Sequence, residues 1–354
     1  MKIVALDLGK FNTMACIYQA EDGSHEFRKV SSSVVALHDL LGEVGGQRVV
    51  IEVGSMAGWV KDLAEAMGFS VEVANVNAEA WRWKQVRRKT DRDDALKLAR
   101  MSCRGELPTV YLPSRSVRQW RGLIGYRQEL VARRTQVKNR IRSILTSEGR
   151  GHASGKKGWT EESVESLRGE ALELGKCSRE ELWRGMLQLE LVGLEQVEGL
   201  IVQVESKLEA LAQADKRVSL LRTIPGVGPR LAELVVAVID DPKRFGNRKQ
   251  VGSYAGLTPR QFASGTMMRE GRISGRGNRL LRALLVEVGW LMQRWNSHFR
   301  EVFSRVSRGM KKRRKVAVVA VARRLLITCW AMLRDGTRWR GLAGSECAKI
   351  EAAA

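Results

Sequence analysis

Five cysteines, Cys16, Cys103, Cys177, Cys329 and Cys347, are scattered through 354 residues, and no two form a C-x-x-C pair. That scatter excludes a disulfide framework and a cysteine-based zinc site, and it suits a reducing, cytoplasmic setting. The start, MKIVALDLGK, reads as a strand and not as a secretory leader. The most apolar late stretch, Val316 to Leu333, is interrupted by Arg323 and Arg324. It is therefore expected to be a basic amphipathic helix, with no membrane partner. No repeat of solenoid period is present. Acids are outnumbered: 39 Asp and Glu face 61 Lys and Arg, a net charge of +22. Such an excess favours polyanionic partners, because neutralising phosphates releases condensed counterions. Hydrophobic residues make up 44% of the chain, enough for sizeable cores. The length suits about two domains.

The first hundred residues alternate strand and helix signals. Strands are expected at Lys2 to Leu8, Thr13 to Gln19, His25 to Val30, Arg48 to Val53 and Ser70 to Ala74. Helical spacing covers Met56 to Met67 and Asp91 to Met101, with Thr90 able to cap the latter. The order βββαβαβα implies a mixed sheet flanked by helices, an α/β domain. From Arg115 to Arg150 the chain becomes helical and basic, with ten Lys or Arg against Glu129 and Glu148. Leu194, Val197, Ile201, Val204, Leu208 and Leu211 alternate spacings of three and four. That seam fits an antiparallel helical hairpin, a coiled-coil dimer or a plain amphipathic helix. The expected divisions are 1–150, 151–218 as a helical or coiled-coil linker and oligomerisation segment, and 219–354 as a mostly α-helical C-terminal domain.

Four acids recur at places where chemistry is done. Asp7 ends the first strand, Glu52 ends the fourth, and Asp91 and Asp94 lie three apart on one helix face. In an RNase H-like sheet the first and fourth strands are neighbours and a later helix crosses them, so the four would converge. Carboxylates that close repel unless a cation is present. Their hard oxygens suit Mg²⁺ or Mn²⁺, which can polarise a phosphodiester. Each acid also has an ordinary explanation: a turn at Asp7, a surface acid at Glu52, and a cap or first-turn acid at the helix start.

The segments VALDLGK, VVIEVG and KTDRDDALKLAR together resemble the DEDD signature of the insertion-sequence one-ten family of transposases. The resemblance implies a RuvC-like domain carrying Asp7, Glu52, Asp91 and Asp94 as metal ligands, with Asp93 at a variable position.

Two later stretches fit the same family. Thr223 to Pro229, TIPGVGP, places Gly226 and Gly228 around Val227 ahead of a helix. Exposed backbone N–H groups there could take a phosphate oxygen, as in a helix-hairpin-helix motif, although an ordinary interhelical turn has the same spelling. Pro259 to Arg282 is a Gly/Ser-rich loop in this reading. Its Gly265, Gly271, Gly275 and Gly277 allow close approach to a ligand. Arg260, Arg269, Arg272, Arg276, Arg279 and Arg282 supply phosphate contacts. The stretch resembles the family's second conserved domain, where a Ser-Ser-Gly precedes G-R-I-S-x-R-G. Here the triplet is Ala263-Ser264-Gly265, so the reactive role carries over to Ser264. Ser274 is expected to be a loop or helix-entry residue ahead of Asn278.

The resemblance implies strand cleavage and rejoining through a covalent phosphoserine at the DNA 5′ end. It also implies donor and target DNA as substrates, a structured non-coding bridge RNA that pairs with both, and a homo-oligomer from dimer to tetramer. The expected location is the bacterial cytoplasm at the nucleoid. The basic helices from Arg115 to Arg150 would suit nucleic-acid backbones. Trp81, Trp83 and Trp120 could stack on bases, with core packing the ordinary fate of tryptophan. Two other enzyme readings share parts of this pattern. A metal-dependent Holliday-junction nuclease would use the acids alone. A sugar-kinase-like ATPase would explain ALDLGKFNT, but it needs a second phosphate loop that is missing.

Overall fold

Alternation along the first strand builds a sheet with two different faces. The computed structural model describes residues 1–75, 90–264 and 267–340, with side chains given outside 262–268 and 270. Its chain divides into two units, Met1–Gln119 and Trp120–Ala354. In the first unit, β1 (Lys2–Leu8), β2 (Asn12–Gln19) and β3 (His25–Ser31) form an antiparallel meander. After α1 (Val34–Val44), β4 (Arg48–Glu52) returns beside β1 in parallel. After α2 (Ala57–Ala66), β5 (Ser70–Ala74) extends the parallel side, giving the order β3-β2-β1-β4-β5. The mixed sheet expected from the sequence is present, with its first and fourth strands adjacent.

Period-two alternation separates the faces. Val4 and Leu6 of β1, with Val49 and Ile51 of β4, pack under α1 and α2. Ile3, Ala5 and Val50 face the other way, against Ala95, Leu98 and Ala99 of α3 (Asp91–Cys103). The β1–β2 turn depends on Gly9, where a Cβ would stand 2.4 Å from the Asn12 carbonyl oxygen.

The division between units falls within α4 (Arg115–Ser147), at Gln119. The reason is what the rest of α4 packs against. After α5 (Glu161–Glu170), α6 (Leu182–Ala214) runs back along it. Leu130 meets Val197 and Ile201, while Ile141 and Leu145 meet Leu187, Leu191 and Leu194. Arg127–Glu205 at 2.6 Å, Lys138–Glu198 at 3.0 Å and Arg140–Glu190 at 3.8 Å fit the same antiparallel register. The three-four seam of α6 is thus the inner face of a hairpin within one chain.

The core of the second unit is built around α8 (Pro229–Ile239), reached through α7 (Lys216–Leu221). Every residue from Leu231 to Ile239 is buried. A helix buried on all sides cannot hydrate its terminal carbonyls, so they need internal donors. Arg121 donates to the oxygens of Ala237 (2.6 Å) and Val238 (3.0 Å), and Arg244 donates to those of Ile239 and Val238. Then follow α9 (Arg248–Tyr254), a hairpin of β6 (Pro259–Ser264) and β7 (Met267–Ile273), and α10 (Arg279–Trp295), α11 (Ser297–Ser307) and α12 (Arg314–Asp335). The stretch expected as a loop is therefore largely a two-stranded ladder. Only Gly265 and Thr266 separate its strands, a spacing that favours a hairpin. The α12 helix is long and apolar enough to cross a membrane. Here it is a core element, with Val318, Val321, Leu325, Leu326 and Cys329 buried.

Candidate active site

The acids come from the α3 side of the sheet. Asp7 and Glu52 follow the Leu6–Ile51 register pair, one on each of the parallel strands β1 and β4. They continue the face of Ala5 and Val50 that packs on α3. The direction of α3 is set at its other end. Ser102 accepts a 3.1 Å bond from Arg48, the first residue of β4, and donates at 2.7 Å to Glu72 of β5. The helix therefore runs antiparallel to β1 and β4. Eight residues back from Ser102 is Asp94, about 12 Å along the axis at the usual helical rise. From Arg48 to Glu52 the strand advances about 13 Å. The first turn of α3 thus lies over the sheet edge that ends in Asp7 and Glu52.

Within that turn the acids have different jobs. Thr90 and Asp93 form a reciprocal capping box, in which the Thr90 Oγ1 accepts from Asp93 N–H and the Asp93 Oδ2 accepts from Thr90 N–H. The cap explains Asp93 and leaves Asp91 and Asp94 outside it. Asp94 is buried, 8% exposed, beside Ala95. Asp91 is exposed, and Asp7 and Glu52 are half-buried.

The four do not form a closed cage. Among the described residues, no three Asp, Glu, His or Cys side chains converge closely enough to hold an ion. The donor chemistry nevertheless fits a hard divalent cation, since every candidate ligand is a carboxylate oxygen. Mg²⁺ is commonly held by one or two carboxylates, with water and substrate phosphate completing the octahedron. A preformed cage of three is not what that ion requires.

Ser264 ends β6 opposite Met267, and its side chain lies outside the described residues. Ser274 is accounted for by the loop: its N–H donates to the Thr258 oxygen and its oxygen accepts from Arg260. The α10 cap is Asn278, which accepts from Leu281 N–H at 2.9 Å. Gly226 and Gly228 are both exposed; Gly226 has φ +92°, and Gly228 caps α8 with Pro229 at its first position. Arg260, Arg269, Arg272, Arg276 and Arg279 are all exposed.

Three expectations are corrected. Arg282 is not a free phosphate contact, because its Nη1 donates to the oxygens of Ala255, Arg276 and Gly277. Gly277 approaches the chain's own backbone and not a ligand: its Cβ would stand 2.0 Å from the Tyr254 oxygen. At least six of the ten cations from Arg115 to Arg150 are engaged with other groups of the chain. Arg118 binds Asp62 and two carbonyls, Arg121 caps α8, and Arg127, Lys138, Arg140 and Arg150 pair with glutamates. Trp120 packs against the core of the second unit, while Trp81 and Trp83 lie outside the described residues. Sequence reasoning missed the β6–β7 hairpin, although Gly265-Thr266 between two strand-length segments was its signal.

Comparison with known proteins agrees with these two regions. A family model for DEDD transposases of the IS110 type matches residues 4–148. A second, described as the IS116/IS110/IS902 transposase family, matches 218–304. The transposase for insertion sequence element IS1111A of Coxiella burnetii is 31% identical over 71% of this chain and 68% of its own length. The transposase for insertion sequence element IS1328 of Yersinia enterocolitica is 30% identical over 39% of this chain and 42% of its own. A pilin gene-inverting protein of Moraxella lacunata is 28% identical over 38% of this chain and 42% of its own length.

Proposed function

This chain belongs to the IS116/IS110/IS902 family of insertion-sequence transposases, and from that premise we propose a two-part chemistry of DNA cleavage and rejoining. Asp7, Glu52, Asp91 and Asp94 hold Mg²⁺ or Mn²⁺, and Ser264 is the nucleophile. The observation that carries the metal half is that β1, β4 and the first turn of α3 bring acids to one edge of one face. When bound, the ion supplies charge neutralisation at a phosphodiester. The Ser264 hydroxyl oxygen attacks phosphorus, the bond from phosphorus to the 3′ oxygen breaks, and the departing oxygen takes up a proton. A phosphoserine at the 5′ end conserves the bond. Attack by another 3′ hydroxyl reverses the step without ATP. Gly226 and Gly228 offer backbone N–H groups to the DNA backbone, and Arg260, Arg269, Arg272, Arg276 and Arg279 its counter-charges.

The acids and Ser264 belong to different units of the chain. A site that uses both is completed by folding or by oligomerisation, and we take the assembly on DNA to be a homodimer or homotetramer. A structured bridge RNA pairing with donor and target DNA is part of the same reading, supported by the net charge of +22 and the resemblance of the motifs. Trapping on a nicked suicide substrate tests it. A protein–DNA adduct should form with the wild type and with Ser274→Ala, and should be absent with Ser264→Ala. Clean hydrolysis without any adduct would instead favour water as nucleophile, a junction-type nuclease using the acids alone. Stable RNA that copurifies and pairs with both insertion site and element end would support the guide.

A further inference from the structure

The α11 and α12 helices wall a cleft in the second unit, and α12 lies beyond both matched family segments, which end at residues 148 and 304. The volume of the cleft is about 880 Å³, within the size range of built ligand sites. The floor is aliphatic: Leu257, Ile273, Val302, Val316, Val319 and Ile327. On α12 the lining positions 316, 319, 320, 323 and 327 recur every three or four residues, so they form one face. The opposite face, through Val321, Leu325 and Cys329, is the core. Around the floor stand Arg305 of α11, Lys315, Arg323 and Arg324 of α12, and Arg272 of β7. Arg248 and Lys249 of α9 complete the rim. Among the described residues no acid lines the cleft and no ion pair involves these seven cations. This contrasts with α4, whose cations are mostly paired.

The combination selects a ligand. A rim of unpaired cations calls for phosphates, but phosphates alone do not call for an apolar floor. A DNA duplex presents phosphates and hides its base faces in the stack. An unpaired strand presents both: its bases can stack on guanidinium planes, and their faces gain from leaving water for an apolar floor. We propose that this cleft is a binding site for an unpaired DNA strand, with bases on Val316, Val319 and Ile327 and phosphates on Arg305, Lys315 and Arg272. The inference needs only that the chain handles DNA. Ser264 lies at the far end of the hairpin whose base, Pro259 and Ile273, borders the cleft, but its chemistry does not enter.

Full-length protein is titrated into a short labelled DNA strand, and into the duplex of the same sequence, across a series of salt concentrations. The wild type should prefer the strand. Arg305→Glu with Lys315→Glu should weaken strand binding tenfold or more and reduce the slope of log affinity against log salt by about 0.7 for each phosphate no longer neutralised. Val316→Ser, at a side chain 58% exposed and outside the core, should weaken strand binding by about threefold to tenfold and leave the slope unchanged. Duplex binding should hardly move in either variant. Melting temperatures check folding, and Arg248→Ala at the exposed start of α9 repeats the slope measurement should the double variant not fold. Equal losses for strand and duplex would reduce the cleft to a generic charged patch and overturn the proposal. So would unchanged strand binding in all variants, or displacement of the strand by an acidic peptide but not by unlabelled strand. Absence of any protein–DNA adduct with the wild type, with strand binding intact, would sink the serine mechanism and leave this site standing.

Discussion

Gly256 and Gly277 pass each other backbone to backbone, both in the left-handed region, at φ +68° and +78°. A Cβ on Gly256 would stand 2.0 Å from the Arg276 oxygen, and one on Gly277 the same distance from the Tyr254 oxygen. Gly277→Ala should therefore destabilise the protein by at least about 1–2 kcal/mol from backbone strain alone, with the clash added, as read by denaturant unfolding. A second residue sits under tension of another kind. Glu233, 1% exposed in the middle of α8, is pushed above the usual carboxylate range by burial, with the Arg230 guanidinium opposing. A raised folded value means that the group contributes stability in full below the ordinary carboxylate pKa, and loses it as pH rises through the raised one. The stability difference between the wild type and Glu233→Gln should move in favour of the wild type as pH falls from neutral. A difference that stays constant with pH would show that the charge is not buried in this way. Neither residue announces its role in the sequence. A glycine in a G-R-G-N run reads equally as a ligand contact, and a glutamate in PRLAELVV reads as the polar face of an amphipathic helix.

Elements were easier to read than their surfaces. The five strands of the first unit were legible because period-two alternation and glycine punctuation are local properties. So was the capped start of α3, since Thr90 and its partner are three residues apart. The charge on α4 was legible only as a total. Its partners, Glu190, Glu198 and Glu205, lie on α6, fifty or more residues away, and a count of lysines and arginines cannot see them. Arg121 illustrates the difference. Read along the chain it is one more phosphate-binding candidate; in the fold it caps a helix that water does not reach. Arg121→Ala would leave the Ala237 carbonyl without that donor and should cost about 1.5–3 kcal/mol, the worth of a hydrogen bond to a charged group. A loss much below that range, measured by thermal or chemical unfolding, would mean that water enters the end of α8. The hairpin β6–β7 was read as a loop because arginines and glycines obscured the alternation in PRQFAS and MMREGRI.

At the scale of the whole molecule, the acids belong to one unit and Ser264 to the other. A variant of the first should remove chemistry without disturbing the second. Asp7→Asn, or chelation of divalent ions from the wild type, should lower cleavage by about a hundredfold to a thousandfold while DNA binding and melting temperature persist. Cleavage that survives both treatments would remove the metal from the reaction. The sequence by itself determined the order of strands and helices along the chain, the family and the identity of the candidate acids, because alternation, glycine turns and the KTDRDDA spelling are written in contiguous residues. Only the tertiary structure decided that Asp7, Glu52 and the first turn of α3 share one face and one edge, that α6 closes on α4 of its own chain, and which of the described basic side chains are engaged by other groups of the protein. Those outcomes depend on helix direction and on distant partners, and packing, which no linear spacing encodes, sets both.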